Sequence, residues 1–170
     1  RKTKVVFVQL GSPSEPTTKA LRKYLRKFLG DPRVVDINPW LWKIILNFFV
    51  LPFRPKKSAK LYARIWDGKS FPLITNTRDF TNNVREELKK IDPNGYVEVN
   101  HAFLLSPPYV NEVYDSWEND LKKGIGATKL LVIPMFPQYS ESTIASGVDA
   151  LAKELSKRVK IPTFEVITNF

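Results

Sequence analysis

Residues 4–10, KVVFVQL, form a short apolar, β-branched run that ends at Gly11. A run of this kind without alternation predicts a strand buried on both faces, as in a parallel sheet. The loop GSPSEP follows. Ala20, Leu21, Tyr24, Leu25, Phe28 and Leu29 then recur at helical spacing, with Thr17 or Thr18 as N-cap and Gly30 and Pro32 as the stop. RVVDI at 33–37 reads as a brief strand. Residues 39–53, PWLWKIILNFFVLPF, are the most apolar stretch, interrupted by Lys43 and Asn47. A basic helix is expected over 57–65, a loop at GKSFPLI and a helix over 77–90. DPNG is a turn signal. YVEVNHAFLL at 96–105 predicts a strand, SPP breaks it, and 110–123 is helical. KLLVIPMF predicts another buried strand, 142–159 a helix and TFEVIT a last strand. Strands thus alternate with helices four times. This predicts an α/β, Rossmann-like three-layer domain, with about four parallel strands and helices on both faces.

A chain of 170 residues suits one domain, and a hydrophobic fraction of 43% supports a core. With no cysteine, disulfides, thiolate metal sites and iron–sulfur clusters are excluded in this chain. The opening RKTKVVFVQLGSP is too polar for a signal peptide, and no apolar run has the length of a membrane span. Lys and Arg number 27 against 17 Asp and Glu, a net +10. That surplus favours an acidic partner or a solvated basic face. LRKYLRKF and RPKKSAK lack the interleaved surface aromatics of a single-strand binder, so nucleic acid is not expected.

Ligands of open parallel sheets sit beyond the carboxyl ends of the strands. Three loops qualify: QLGSPSEP, LLSPPY and PMFPQYSEST. The hydroxyls of Ser140, Ser142 and Thr143 either cap the following helix or hold a carboxylate. The single His101 lies inside a strand, where packing is the ordinary role, and one His cannot build a multi-His metal site. Glu86 and Glu87 read as solvated helix surface. No Walker, G-x-G-x-x-G or G-x-S-x-G motif occurs. Residues 39–53 admit two readings. One is a core helix. The other is an exposed apolar lip beside Arg54, Lys56, Lys57 and Lys60, the combination of an interfacial membrane helix or of a mouth for a flat apolar acid.

Three segments in order, VVFVQLGSPSEPTTKALRKYLRKFLGDPRVVD, LPFRPKKSAKLYARIWDGKSFPLITNTR and VIPMFPQYSESTIAS, resemble the ferrochelatases. These enzymes insert ferrous iron into a porphyrin in haem synthesis. The resemblance covers nearly all of this chain but only the first half of a typical member. It implies residues 1–170 as an N-terminal chelatase-like domain, a type II chelatase half of a porphyrin cleft, with the C-terminal half of the family fold absent. Gln138, Tyr139, Ser140, Ser142 and Thr143 match the stretch that lines the cleft and holds a propionate. Leu10, Arg54 and Tyr62 match positions against the macrocycle, near the mouth and on the helix after it. Ser70 matches a Gly-Ser-Pro serine displaced by one residue. Trp40, Trp42, Phe48 and Phe49 correspond to the lip, which meets the bilayer in membrane-associated members.

Two departures are visible. The basic or aromatic pair before the family's third-loop proline is replaced by Phe103 and Leu104, or by the pair one position later. The loop before KLLVIP is also longer than usual. No catalytic or metal residue is assigned in this chain, because the family's metal-site histidine and its acidic partner come from the second half. The resemblance implies iron as substrate, no cofactor, a cytoplasmic location with the option of contact with the inner membrane, and either a missing C-terminal domain or self-association. By it, this chain alone is expected to be inactive. The alternatives are a non-catalytic tetrapyrrole-binding half-chelatase and, behind it, a basic peripheral membrane-binding domain.

Overall fold

The computed structural model describes residues 2–136, 143–158 and 161–167, together with the backbone of 141 and 142. The chain forms two compact units. Unit 1 comprises Arg1–Leu10 and Asn76–Phe170, and unit 2 comprises Gly11–Thr75.

Unit 1 is built on β1, Thr3–Gln9, whose five central residues are all buried. Its β-branched run fits a strand covered on both faces. In unit 2, Thr18–Leu29 forms α1, Pro39–Ile45 forms α2, Leu46–Val50 is a π-helical turn and Leu51–Tyr62 forms α3. Helix α4, Pro72–Ile91, runs from unit 2 into unit 1. The remaining elements of unit 1 are β2 (Val97–Phe103), α5 (Val110–Lys122), β3 (Lys129–Pro134), α6 (Ser146–Ser156) and β4 (Thr163–Val166). The strands form one parallel sheet in the order β2-β1-β3-β4. The α/β parallel architecture expected from the alternation of elements is therefore present.

Alternate residues of β1 serve opposite faces, as the two-residue period of a strand requires. Val6 and Val8 pack with Tyr114 and Trp117 of α5 and with Leu151 and Leu155 of α6. Val5 and Phe7 pack with Val84 and Leu88 of α4, and Phe7 meets Phe80 edge-on at 5.1 Å. The Trp117 indole donates to Ala127 O at 2.7 Å, so its polar edge is satisfied within the core. Lys4 is buried on the α5 side and its ammonium lies 3.3 Å from Glu98 and 3.9 Å from Asp120. A buried charge persists where it is paired in this way.

In unit 2, α1 turns Leu21, Tyr24, Leu25 and Leu29 inward, and α3 buries Leu51, Pro55 and Ala59. Thr17 caps α1 by accepting from Ala20 N–H at 3.2 Å. Gly30 ends it, and a Cβ there would stand 2.6 Å from Arg26 O. Pro55 has no N–H for the carbonyl of Leu51 one turn earlier. Arg22 Nε donates to that carbonyl instead, at 3.2 Å. A proline inside the helix thereby ties α3 to α1.

Four expectations change. Residues 33–37 form no strand: Arg33 N–H donates to the Asp31 side chain and Val34 N–H to Asp31 O, closing a turn. A side-chain bond of this kind gives the backbone an alternative to a ladder. The loop expected at 68–74 is helical from Pro72, whose fixed φ suits a first helical position. The separate basic helix at 57–65 is instead continuous with 39–53, the π-helical turn joining α2 to α3 and Ala63–Ile65 forming a closing 3₁₀ turn. Finally, 39–53 is not a buried core helix, since Trp40, Phe48, Phe49 and Phe53 are 66–79% exposed.

Candidate functional site

The carboxyl ends of the strands carry the first group of candidates. The β ladder continues past the strand ends: Leu104 N–H donates to Gln9 O at 3.1 Å, Leu105 N–H to Leu10 O at 3.0 Å and Met135 N–H to Val8 O at 2.8 Å. Gln9 folds its side chain back to accept from Leu10 N–H at 2.9 Å. Gly11 then leaves β1 with φ at 94°, a conformation that a side chain would strain. The backbone of this rim is thus tied down, while Leu10, Leu104, Leu105, Met135 and Phe136 remain half-buried. Phe103 is fully buried. Of the two pairs named from the sequence, Phe103–Leu104 has its first side chain buried, while both members of Leu104–Leu105 are half-buried. The sequence placed Leu105, Met135 and Phe136 at the ends of predicted strands and within candidate loops, and gave Met135 and Phe136 no individual role.

The opening positions of the third loop, Gln138, Tyr139 and Ser140, lie outside the described residues, as does the side chain of Ser142. Thr143 is half-buried on the π-helical turn Glu141–Ala145, next to the fully buried Ile144.

A second group lies in unit 2. Arg54 is exposed on α3. Tyr62 is half-buried among rings, edge-on to Tyr24 at 6.3 Å and to Phe71 at 5.5 Å. The Tyr24 hydroxyl donates to Gly11 O at 3.4 Å. Burial, and then the charge and hydrogen bond of Tyr62, push the Tyr24 phenol far above its ordinary range, so it stays neutral. Ser70 is half-buried, and its N–H donates to Asp67 at 2.6 Å. The N–H groups of Ser70 and then Lys69 hold the Asp67 carboxyl below its usual range. Trp40, Phe48 and Phe49 are exposed. Trp42 differs: it is half-buried and its indole donates to Leu29 O at 2.7 Å, so it anchors α2 rather than lining the exposed side. The structure brings Leu10 together with Leu104 and Leu105 in unit 1, and Tyr62 together with Tyr24 and Phe71 in unit 2.

His101 stands in β2, edge-on to Phe103 at 5.5 Å, with Nδ1 buried and unpartnered among the described residues. Desolvation, and then the charges of Arg85 and Arg78, lower its pKa from 6.5. It is a packed, neutral imidazole. Glu86 and Glu87 pair with Lys89 and Lys90 on exposed helix surface.

A parallel sheet covered by helices on both faces, with an apolar rim at the carboxyl ends of its strands, is the architecture of a chelatase-type α/β domain. The family profile described as Ferrochelatase matches residues 2–170. The chain belongs to the ferrochelatase family. It is similar to the ferrochelatase of Idiomarina loihiensis, 42% identical over 98% of this chain and 44% of the relative. It is 38% identical to the ferrochelatase of Actinobacillus pleuropneumoniae serotype 5b, over 98% of this chain and 50% of the relative. It is 37% identical to the coproporphyrin III ferrochelatase of Streptococcus mutans, over 100% of this chain and 51% of the relative. The chain spans about half the length of the curated relatives it matches.

Proposed function

We propose that this chain is the porphyrin-cleft half of a ferrochelatase, which inserts ferrous iron into protoporphyrin IX or coproporphyrin III in haem biosynthesis. The observation that carries the proposal is the family match over 2–170, joined to the apolar rim that Leu10 and Leu105 form at the strand ends. A flat macrocycle buries its faces against aliphatic side chains, and its carboxylates take hydroxyl and arginine donors. Leu10, Leu104 and Leu105 would meet the ring. Ser140, Ser142, Thr143 and Arg54 would hold its propionates, with Gln138, Tyr139, Tyr62 and Ser70 as further lining.

Insertion of Fe²⁺ releases the two pyrrole N–H protons, so a base must receive them and a ligand must deliver the cation. No described residue of this chain is assigned either role, and no three His, Asp or Glu side chains gather into a metal site among the described residues. The base and the metal ligand are sought in the part of the relatives that this chain does not span. Under this proposal the 170 residues alone are inactive.

The test is iron insertion by the full-length protein, followed by loss of porphyrin fluorescence with each substrate. Turnover of either one supports the proposal. A full-length protein that metallates neither sinks it. Phe103 and Leu104, or the pair one position later, stand apolar where the resemblance expects a basic or aromatic pair, and this favours one second reading: a tetrapyrrole-binding half-chelatase without catalysis. A Soret shift with no turnover would select it.

A further inference from the structure

The resemblance expects a serine directly before a proline, but here Phe71 stands between Ser70 and Pro72. The extra residue turns inward. Phe71 is 2% exposed, and its ring lies 4.7 Å from that of Trp66 and 5.5 Å from that of Tyr62. Burying a ring of this size anchors the chain on either side of it. Pro72 then starts α4, and its first turn bonds back to Phe71: Ile74 N–H and Thr75 N–H donate to Phe71 O at 3.0 and 3.2 Å. The insertion is thus absorbed by the core of unit 2. Ser70 is left half-buried, directly before the ring that Tyr62 meets edge-on.

Asp67 fixes the backbone of Ser70. Its Oδ1 accepts from Lys69 N–H at 2.7 Å and from Ser70 N–H at 2.6 Å, while Asp67 N–H donates to Ser70 O at 3.3 Å. Residues 67–70 are therefore closed into one turn by a side chain that imitates backbone, as aspartate does in turns. Gly68 sits inside it with φ at 94°, which a side chain would strain. A charged acceptor makes stronger bonds than a neutral one. The N–H groups of Ser70 and then Lys69 hold the carboxyl below its usual range, so it stays ionised. The Ser70 hydroxyl, by contrast, donates to Phe71 O at 3.5 Å, the limit of a hydrogen bond. The backbone of Ser70 is held while its hydroxyl is free to take a better acceptor, the arrangement of a donor preorganised for a ligand. Asp67 is itself exposed, where solvent and salt screen its charge from a bound anion.

We infer that Asp67 is a positioning residue: by closing the turn at 67–70 it aims the Ser70 hydroxyl at a carboxylate of the bound porphyrin. Asp67 touches no ligand and acts through Ser70 alone. Without the clasp, Ser70 follows a loop of exposed Gly68 and Lys69, and the entropy of ordering that loop is taken from binding. The inference rests on the chelatase proposal and deepens it.

The test is a Soret titration of the full-length protein with protoporphyrin IX and with coproporphyrin III, run as a double-mutant cycle. Ser70→Ala is expected to weaken binding about tenfold, through loss of a hydrogen bond to a charged group. Asp67→Ala is expected to weaken it about fivefold. Asp67→Asn keeps an acceptor oxygen and is expected to stay within about twofold of wild type. In the Ser70→Ala background, Asp67→Ala is expected to cost nothing further, because the two residues act as one unit. Wild-type binding by Asp67→Ala or by Ser70→Ala, an Asn variant as weak as the Ala variant, or losses that add in the double variant each overturn the inference and leave the chelatase proposal standing. A wild type that gives no Soret shift with either porphyrin overturns both.

Discussion

The two units of this chain differ in charge balance and in where their exposed rings cluster. Unit 1 holds Trp117, Phe103 and Leu130 at most 2% exposed, leaves Ile91, Tyr96 and Ile125 outside that core, and nearly cancels its charges. Its buried cation, Lys4, is matched by Glu98 and Asp120, and Arg158 is matched by Asp115 at 2.7 Å and Glu118 at 3.2 Å. Unit 2 keeps a small helical core around Leu21 and leaves Trp40, Phe48 and Phe49 in solvent beside unbalanced cations. Val6, Val8 and Trp117 are therefore core in unit 1, whereas Trp40, Phe48, Phe49 and Phe53 along 39–53 are left uncovered.

Paired substitutions break this comparison if it is wrong. Trp117→Ala removes a buried ring and its bond to Ala127 O, and is expected to cost about 3–5 kcal/mol in urea unfolding. Trp40→Ser in unit 2 is expected to stay within about 0.5 kcal/mol. Equal losses at the two tryptophans would refute the contrast. Leu21→Ala is expected to cost about 2–4 kcal/mol, because Leu21 is fully buried and unit 2 does have a core. A neutral result would mean that the helices of unit 2 are held by something other than the α1 face.

Smaller effects sharpen the picture at the site and at the helix ends. Leu105→Asp places a carboxylate on the rim without touching the backbone bond to Leu10 O. It is expected to weaken porphyrin binding by about tenfold, roughly 1.4 kcal/mol, in a Soret titration. Unchanged binding would remove the rim from the proposed cleft. Thr17→Ala deletes the cap of α1, and about 1 kcal/mol is expected to be lost.

The smallest effect is a pH slope. The folded pKa of His101 lies below its unfolded value of 6.5, so the unfolded chain binds the proton first. The stability contributed by the neutral ring is present above about pH 6.5 and is lost as the pH falls from there through the folded pKa. His101→Gln should flatten the dependence of Tm on pH in that acid window. An unchanged slope would mean that the ring titrates as it does in solvent.

Local pattern carried most of unit 1. The β-branched run at 4–10 has no polar face, so only a strand covered on both sides satisfies it, and the ladder with β2 and β3 follows. The helical spacing of Leu21, Tyr24, Leu25 and Leu29 likewise identified the buried side of α1. Local pattern failed at 33–37. There β-branched composition is overridden by an aspartate that bonds the following backbone, a competition that propensity does not weigh. At the site, the hydroxyl and aromatic loop and Leu10 stood out in the sequence, but the meeting of Leu10 with Leu104 and Leu105 did not. Leu104 and Leu105 look like the tail of a buried strand until the ladder shows where burial stops.

What the sequence determined by itself was periodicity, sign of charge and chemical kind: most of the strands and helices, the excess of cations over 37–66, and the aliphatic and hydroxyl residues that follow the strands. Only the tertiary structure decided which apolar residues are covered. Trp40 and Trp42 are two positions apart and equally apolar in sequence. Trp42 finds Leu29 O across the unit and turns inward, while Trp40 stays 79% exposed. Burial is a property of what the rest of the chain brings alongside, and a single segment cannot encode that alone.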